Sequence, residues 1–135
     1  MNDGLTNGRP RAGKRADRRK QAGREAEEAA AAYLADQGFV ILERNWRCRT
    51  GEIDLIAKDG ERLVFVEVRS RRESSRFGTA VEAVNARKCA RVRAVAGVYL
   101  SMSRAGSKPI RFDVVAVTFA GDGGVGELRH IAGAF

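Results

Sequence analysis

Cysteine is scarce in this chain, with only Cys48 and Cys89 among 135 residues. The two thiols are far apart and in no CxxC spacing. A disulfide scaffold or a thiolate zinc site is therefore not expected, and a reducing cytoplasm is the natural setting. His130 is the sole histidine, and with no second histidine or cysteine near it in sequence it reads as a surface or structural residue. No run approaches the roughly 18 apolar residues of a membrane span. The N-terminus lacks the apolar stretch of a secretory signal, so export is not expected. What is present, 44% hydrophobic and 31% charged residues, describes a globular protein of one domain with a real core.

Positive charge is abundant but uneven. The net charge is +8, and residues 1–24 account for +6 of it through Arg9, Arg11, Lys14, Arg15, Arg18, Arg19, Lys20 and Arg24 against Asp3 and Asp17. The rest of the chain is nearly balanced. A basic arm on a balanced domain suits a polyanionic partner held by salt-sensitive phosphate contacts, and also suits a solvated arm that aids solubility. Residues 1–22, polar and without apolar periodicity, read as a disordered basic tail, and residues 23–135 as the folded domain.

From about Gln21, "AGREAEEAAAAYLADQG" is Ala-rich and stops at Gly38, as a helix does. Its apolar stripe is Ala26, Ala30, Tyr33, Leu34 and Gln37. "FVILERNWRC" is a first strand, within which Trp46 reads more readily as core than as a base-stacking residue. Strands flank Asp59-Gly60, a "PIRFDVVAVTF" strand follows, and the Gly-rich "AGDGGVG" turns into a short strand near "ELRHI". That Gly-rich stretch lacks the lysine and following helix of a phosphate loop. Residues 79–103 form a helical region, with Asn85 as cap and Val92, Val95, Ala96 and Tyr99 as its buried stripe. This order of elements describes an α/β or α+β domain, a mixed sheet flanked by helices.

The chemistry gathers in "GEIDLIAKDGERLVFVEVRS", residues 51–70. An Asp59-Gly60 type I′ turn predicts that Lys58 faces Glu61, Ile56 faces Leu63, Asp54 faces Phe65 and Glu52 faces Glu67. Strand alternation then puts Glu52, Asp54, Ile56, Leu63, Phe65, Glu67 and Arg69 on one face, and Ile53, Leu55, Ala57, Val64, Val66 and Val68 on the other. Three carboxylates come within roughly 5–8 Å of one another at the backbone. Like charges so placed need a cation among them. A hard divalent ion held by oxygen ligands satisfies that need, and so does Arg69 in a structural ion-pair cluster. Spacing alone leaves both readings open.

"GEIDLIAKDGERLVFVEVRSR", with "AEEAAAAYLADQGFVILERNWRCR", "RFGTAVEAVNARK", "RFDVVAV" and the terminal "IAGAF", resembles the YraN family. That family is endonuclease-like and belongs with the PD-(D/E)xK nucleases that include archaeal Holliday-junction resolvases. The resemblance implies a restriction-endonuclease-like α/β fold. It also implies Mg²⁺- or Mn²⁺-dependent cleavage of nucleic acid, most readily DNA, in the cytoplasm. Carried over residue by residue, Asp54 and Glu67 match the metal-binding acids, the Val68 carbonyl a further ligand, and Glu27 an acid from the first helix; Glu52 is an additional acid nearby. Arg69 stands where the family has lysine. It can hold a phosphate and stabilise developing charge, but an arginine with a pKa above about 12 does not act as a base. Lys58, four residues along the strand from Asp54, is roughly 13 Å away and too far to replace it.

Basic residues after the catalytic strand, Arg71, Arg72 and Arg76, lie where a phosphate backbone would run. Lys88, with its helical neighbours Arg87, Arg91 and Arg93, offers a second basic surface. A homodimer would suit a branched substrate. The alternative function is a non-catalytic nucleic-acid-binding protein with a nuclease fold, in which Arg69 is a standing partner for the acids. A scaffold for a protein partner is a third reading.

Overall fold

Gly38 stops the first helix as the sequence predicts, with φ at +99°, a value that favours glycine. The amides of Gln37 and Phe39 turn back onto the carbonyls of Tyr33 and Leu34, closing the helix end. The computed structural model describes residues 11–72, 85–104 and 107–135, with side chains from Asp17 onward. Helix α1 spans Arg11–Asp36 and begins well before Gln21. Residues 11–22, expected in the disordered tail, are therefore helical, while residues 1–10 lie outside the described residues. Alanine, lysine, arginine and glutamine all favour helix, so the basic segment extends the helix even though its buried stripe begins only near Ala22 and Ala26. Ala26, Ala30 and Leu34 are buried as expected; Gln37, beyond the helix end, is exposed.

Five strands form one mixed sheet in the order β1 (Val40–Cys48), β2 (Gly51–Asp59), β3 (Arg62–Arg72), β4 (Ile110–Phe119), β5 (Val125–Ile131). The β1–β2, β2–β3 and β4–β5 pairs are antiparallel, and β3–β4 is parallel. A parallel neighbour needs a crossover, and helix α2 (Ala86–Ser103) lies in that connection. Asn85 caps it, its side chain accepting from the Lys88 amide at 2.9 Å. This is the restriction-endonuclease-like α/β arrangement, a mixed sheet with helices on its faces.

Each helix covers one face. Leu55, Val64, Val66, Val115, Val117 and Phe119 pack with Ala26, Ala30, Ala31 and Leu34 of α1. Ile53, Ile56, Leu63, Phe65 and Phe112 pack with Val92, Val95 and Ala96 of α2, where Trp46 meets Tyr99 edge-to-face. Trp46 is thus structural, as its strand position suggested. The central strands are buried on both sides, which explains their continuous apolar runs. Each fully buried Val or Ile in them contributes roughly 1.5–3 kcal/mol.

The hairpin register departs from expectation by two residues. Asp59 pairs with Arg62, Lys58 with Leu63 and Ile56 with Phe65, so Gly60 (φ +63°) and Glu61 make the turn. An even shift preserves the faces, and Leu63, Phe65, Glu67 and Arg69 still share one side of β3. Ile53 is the exception. It was expected with Leu55, yet it packs under α2 with Ile56, so β2 turns over at Asp54.

Candidate active site

The turnover at Asp54 has a visible cause in its neighbours. Arg44 pairs with Leu55 and Trp46 with Ile53, which sets Asn45 opposite Asp54. Asn45 has φ +51°, a left-handed conformation that asparagine tolerates better than most residues. On the other side, the β2–β3 pairing runs only as far as Leu55–Val66. Beyond that point the strands splay. The Asp54 carboxylate takes over from the missing backbone partner, Oδ2 accepting from the Val68 amide at 2.8 Å.

Three acids meet at this splayed end. Glu27 comes from α1, half-buried; Asp54 from β2; and Glu67, 4% exposed, from β3. Burial pushes the Glu67 carboxyl up to about 7, with the nearby Asp54 charge adding to the effect and Arg69 and Lys88 opposing it. Burial also raises Asp54, against the pull of the Val68 amide, of the adjacent Glu27 and of Arg69. Glu27 is raised by burial and by the Asp54 charge, with Asn45 opposing. In all three, burial is the largest cause, and the cations nearby do not offset it.

The cations present are placed loosely. Arg69 Nη2 is 3.6 Å and Lys88 Nζ 3.9 Å from the same atom, Glu67 Oε1. Neither distance is that of a good hydrogen bond. Arg69 Nε and Nη2 are buried with no hydrogen-bond partner. Lys88, which the sequence placed on a basic surface, also approaches Glu67. Lys88 lies outside the hairpin, so strand spacing gives no sign of its approach. Its place in the first turn of α2, the helix packed over this face, brings its ammonium to Glu67. The cue in sequence was the Asn85 cap, which puts Lys88 in the first turn.

Glu52 does not oppose Glu67. It pairs with Arg47 across β1–β2, and its Oε2 accepts from Arg47 Nε at 2.9 Å on the exposed edge. Its effect on Asp54 and Glu27 is a minor repulsion. Half-buried Arg71 and exposed Arg72 line an open cleft of about 1000 Å³ together with Arg18, Arg19 and Glu25 of α1. Arg76 lies outside the described residues.

A second acid centre went unnoticed in the sequence. Asp113 on β4 is fully buried and accepts from Arg111 Nε and Nη2, both at 2.8 Å, and from the Gly133 amide at 3.0 Å. His130 Nε2 lies 2.7 Å from its Oδ2. The histidine is packed edge-on against Tyr33 and Phe39, a structural role in keeping with its isolation in sequence. Burial would raise Asp113, but the bonds from Arg111, His130 and Gly133 more than offset it and hold the carboxyl below the usual range.

Among the described residues, no three carboxylate, histidine or cysteine side chains stand close enough together to hold a metal ion as they are. Magnesium needs less, because one or two carboxylates with waters suffice. Asp54 and Glu67 offer only oxygen donors in a site short of positive charge, and that donor set fits a hard divalent cation. No described helix is long and apolar enough to cross a membrane.

Residues 26–117 match the model of a family described as "Uncharacterised protein family UPF0102". That span contains Glu27, Asp54, Glu67, Arg69 and Lys88 and leaves out every lysine and arginine of α1. A UPF0102 protein of Frankia casuarinae is 49% identical over 113 residues, 84% of this chain and 94% of that protein. One from Moorella thermoacetica is 48% identical over 117 residues, covering 87% and 97% of the two chains. One from Pelotomaculum thermopropionicum is 48% identical over 120 residues, 89% and 99%.

Proposed function

The chain belongs to the UPF0102 (YraN) family, and on that premise we propose that it is a metal-dependent endonuclease acting on nucleic acid, DNA in the first instance. The observation that carries this reading is the buried pair Asp54 and Glu67, both raised in pKa with too few cations nearby. Evolution retains such electrostatic strain where it serves a site more readily than where it serves stability.

Asp54 and Glu67 would hold Mg²⁺ or Mn²⁺, with the Val68 carbonyl and Glu27 completing the shell through direct or water-bridged contacts. When bound, the ion supplies Lewis-acid polarisation of a phosphate and a more acidic water. The protein's own part is to orient and to balance charge. The Val68 amide holds the Asp54 carboxylate in place, and Arg69 favours the ionised form of Glu67 without offsetting its burial. Glu27 and Asp54, both raised by burial, would ionise more readily with a cation between them. Arg71, Arg72, Arg18 and Arg19 border a cleft that suits a phosphate backbone. Their contribution is affinity without sequence preference, and it weakens steeply with salt.

A second reading has its own observation. The Arg69–Glu67 and Lys88–Glu67 approaches are what a non-catalytic binding protein would use to neutralise the acids. Cleavage of end-labelled four-way junction, duplex and single-stranded DNA separates the two. Wild type and Asp54→Ala would be compared in Mg²⁺ and in Mn²⁺. Cutting by wild type that disappears in Asp54→Ala is the expected result. DNA binding by both proteins without cutting by either would leave only the binding protein.

A further inference from the structure

Arg69 occupies the position where the resembled family has a lysine, yet a lysine does reach the acids from another element. Lys88 and Arg69 approach the same oxygen, Glu67 Oε1, at 3.9 Å and 3.6 Å. Their circumstances differ. The Arg69 side chain is 16% exposed and the Lys88 side chain 38%. The arginine is thus largely buried beside the carboxylate, whereas the lysine remains open to solvent and to an incoming phosphate.

The backbone of Lys88 is held rigidly. Its amide donates to the Asn85 side chain at 2.9 Å, and Val92, Val95 and Ala96 lock α2 onto the sheet. A side chain carried by a packed helix is placed more accurately than one on a loop. Its ammonium has three donors, and the long approach to Glu67 leaves them largely uncommitted. A lysine meant only to neutralise Glu67 would close to hydrogen-bond distance.

We propose that Lys88 is the catalytic lysine of this chain, contacting the scissile phosphate beside Glu67 in place of the residue at position 69. The inference rests on the nuclease reading above. In the hydrolysis a water oxygen forms the new P–O bond and one ester P–O bond breaks. The water's proton goes to solvent, and the departing alkoxide takes one up. Lys88 keeps its own proton throughout and donates to a non-bridging oxygen as negative charge builds on it. Arg69 becomes a positioning residue that holds Glu67.

The test is single-turnover cleavage of end-labelled DNA in Mn²⁺ at saturating protein, with dissociation constants measured in Ca²⁺. Wild type, Asp54→Ala, Lys88→Met and Lys88→Gln would be compared. Both Lys88 variants are expected to cut at least ~100-fold more slowly than wild type, with DNA affinity within ~3-fold and melting midpoints unchanged. Cutting by the variants at the wild-type rate, while Asp54→Ala is inactive, overturns the role of Lys88 and leaves the nuclease reading intact. A rate loss at sub-saturating protein that vanishes at saturation makes Lys88 a mere affinity contact and also overturns it. Absence of Asp54-dependent cutting by wild type overturns both.

Discussion

Two buried acid centres lie on neighbouring strands of one sheet, and they are built in opposite ways. Asp113 on β4 meets Arg111 in two bonds, His130 in a third and the Gly133 amide in a fourth. Glu67 on β3, one residue beyond the partner of Asp113, meets two cations at 3.6 Å and 3.9 Å and shares its surroundings with Asp54. The first carboxyl is held below its ordinary pKa and the second well above it. Burial is common to both, so burial does not decide what a carboxylate is for. What differs is satisfaction. A satisfied buried charge holds the fold together, here by tying the C-terminal residues to β4. An unsatisfied one leaves room for a ligand of opposite sign.

Neutralising each centre should pull the two apart most widely. Asp113→Asn leaves Arg111 and His130 beside a neutral amide and is expected to cost about 3 kcal/mol or more. Asp54→Asn keeps an acceptor for the Val68 amide while removing repulsion, so it should be neutral or stabilising. Urea midpoints measure both. Equal losses in the two variants would abolish the distinction.

The pH dependence of stability sharpens it. Glu67 in the folded protein binds its proton up to about 7, whereas in the unfolded chain it releases it near 4.5. The folded state therefore holds more protons in that window, and stability falls as pH rises from about 4.5 to about 7, by up to roughly 3 kcal/mol. Glu27 and Asp54 act in the same direction. Asp113 has the opposite sign: its contribution is present above the ordinary aspartate range and is lost as pH falls through its depressed value. Glu67→Gln should flatten the neutral limb of the profile and leave the acid limb alone. A neutral limb of unchanged slope would mean that Glu67 is not the source.

Metal should act on one centre only. At pH 7.5, Mn²⁺ at a hundred times its dissociation constant would stabilise wild type by about 2.7 kcal/mol, and Glu67→Gln should respond far less. Thermal melts with and without Mn²⁺ suffice, and an equal response from both proteins would place the ion elsewhere. The smallest effect belongs to Glu52→Gln. Its pair with Arg47 is exposed on both sides, so the change in stability should stay within about 0.5 kcal/mol.

Much of the fold was legible in the sequence because its signals are local. Gly38 ends α1, Asn85 caps α2, and the apolar face of Leu55, Val64 and Val66 marks strands that pack on a neighbouring layer. The start of α1 is not legible from an apolar stripe, because residues 11–22 extend the helix through helix propensity alone. The hairpin turn was placed one residue early. Asp59-Gly60 and Gly60-Glu61 both supply a glycine, and both registers put Phe65 and Leu63 on the same face, so alternation does not select between them. The error was even in register, so the faces of β3 survived it.

Residue order by itself determined that carboxylates would stand at the open end of a hairpin, because alternation and the position of a glycine turn are properties of neighbouring residues. It did not determine which acids would meet, nor which cation would join them. Glu52 went to Arg47, Asp54 turned between the strands to take an amide, and Lys88 arrived from a helix after a long excursion in the chain. Those outcomes depend on where β2 and β3 part and where α2 begins on the sheet. Both are set by contacts between residues distant in sequence, and only the folded structure brings those residues together.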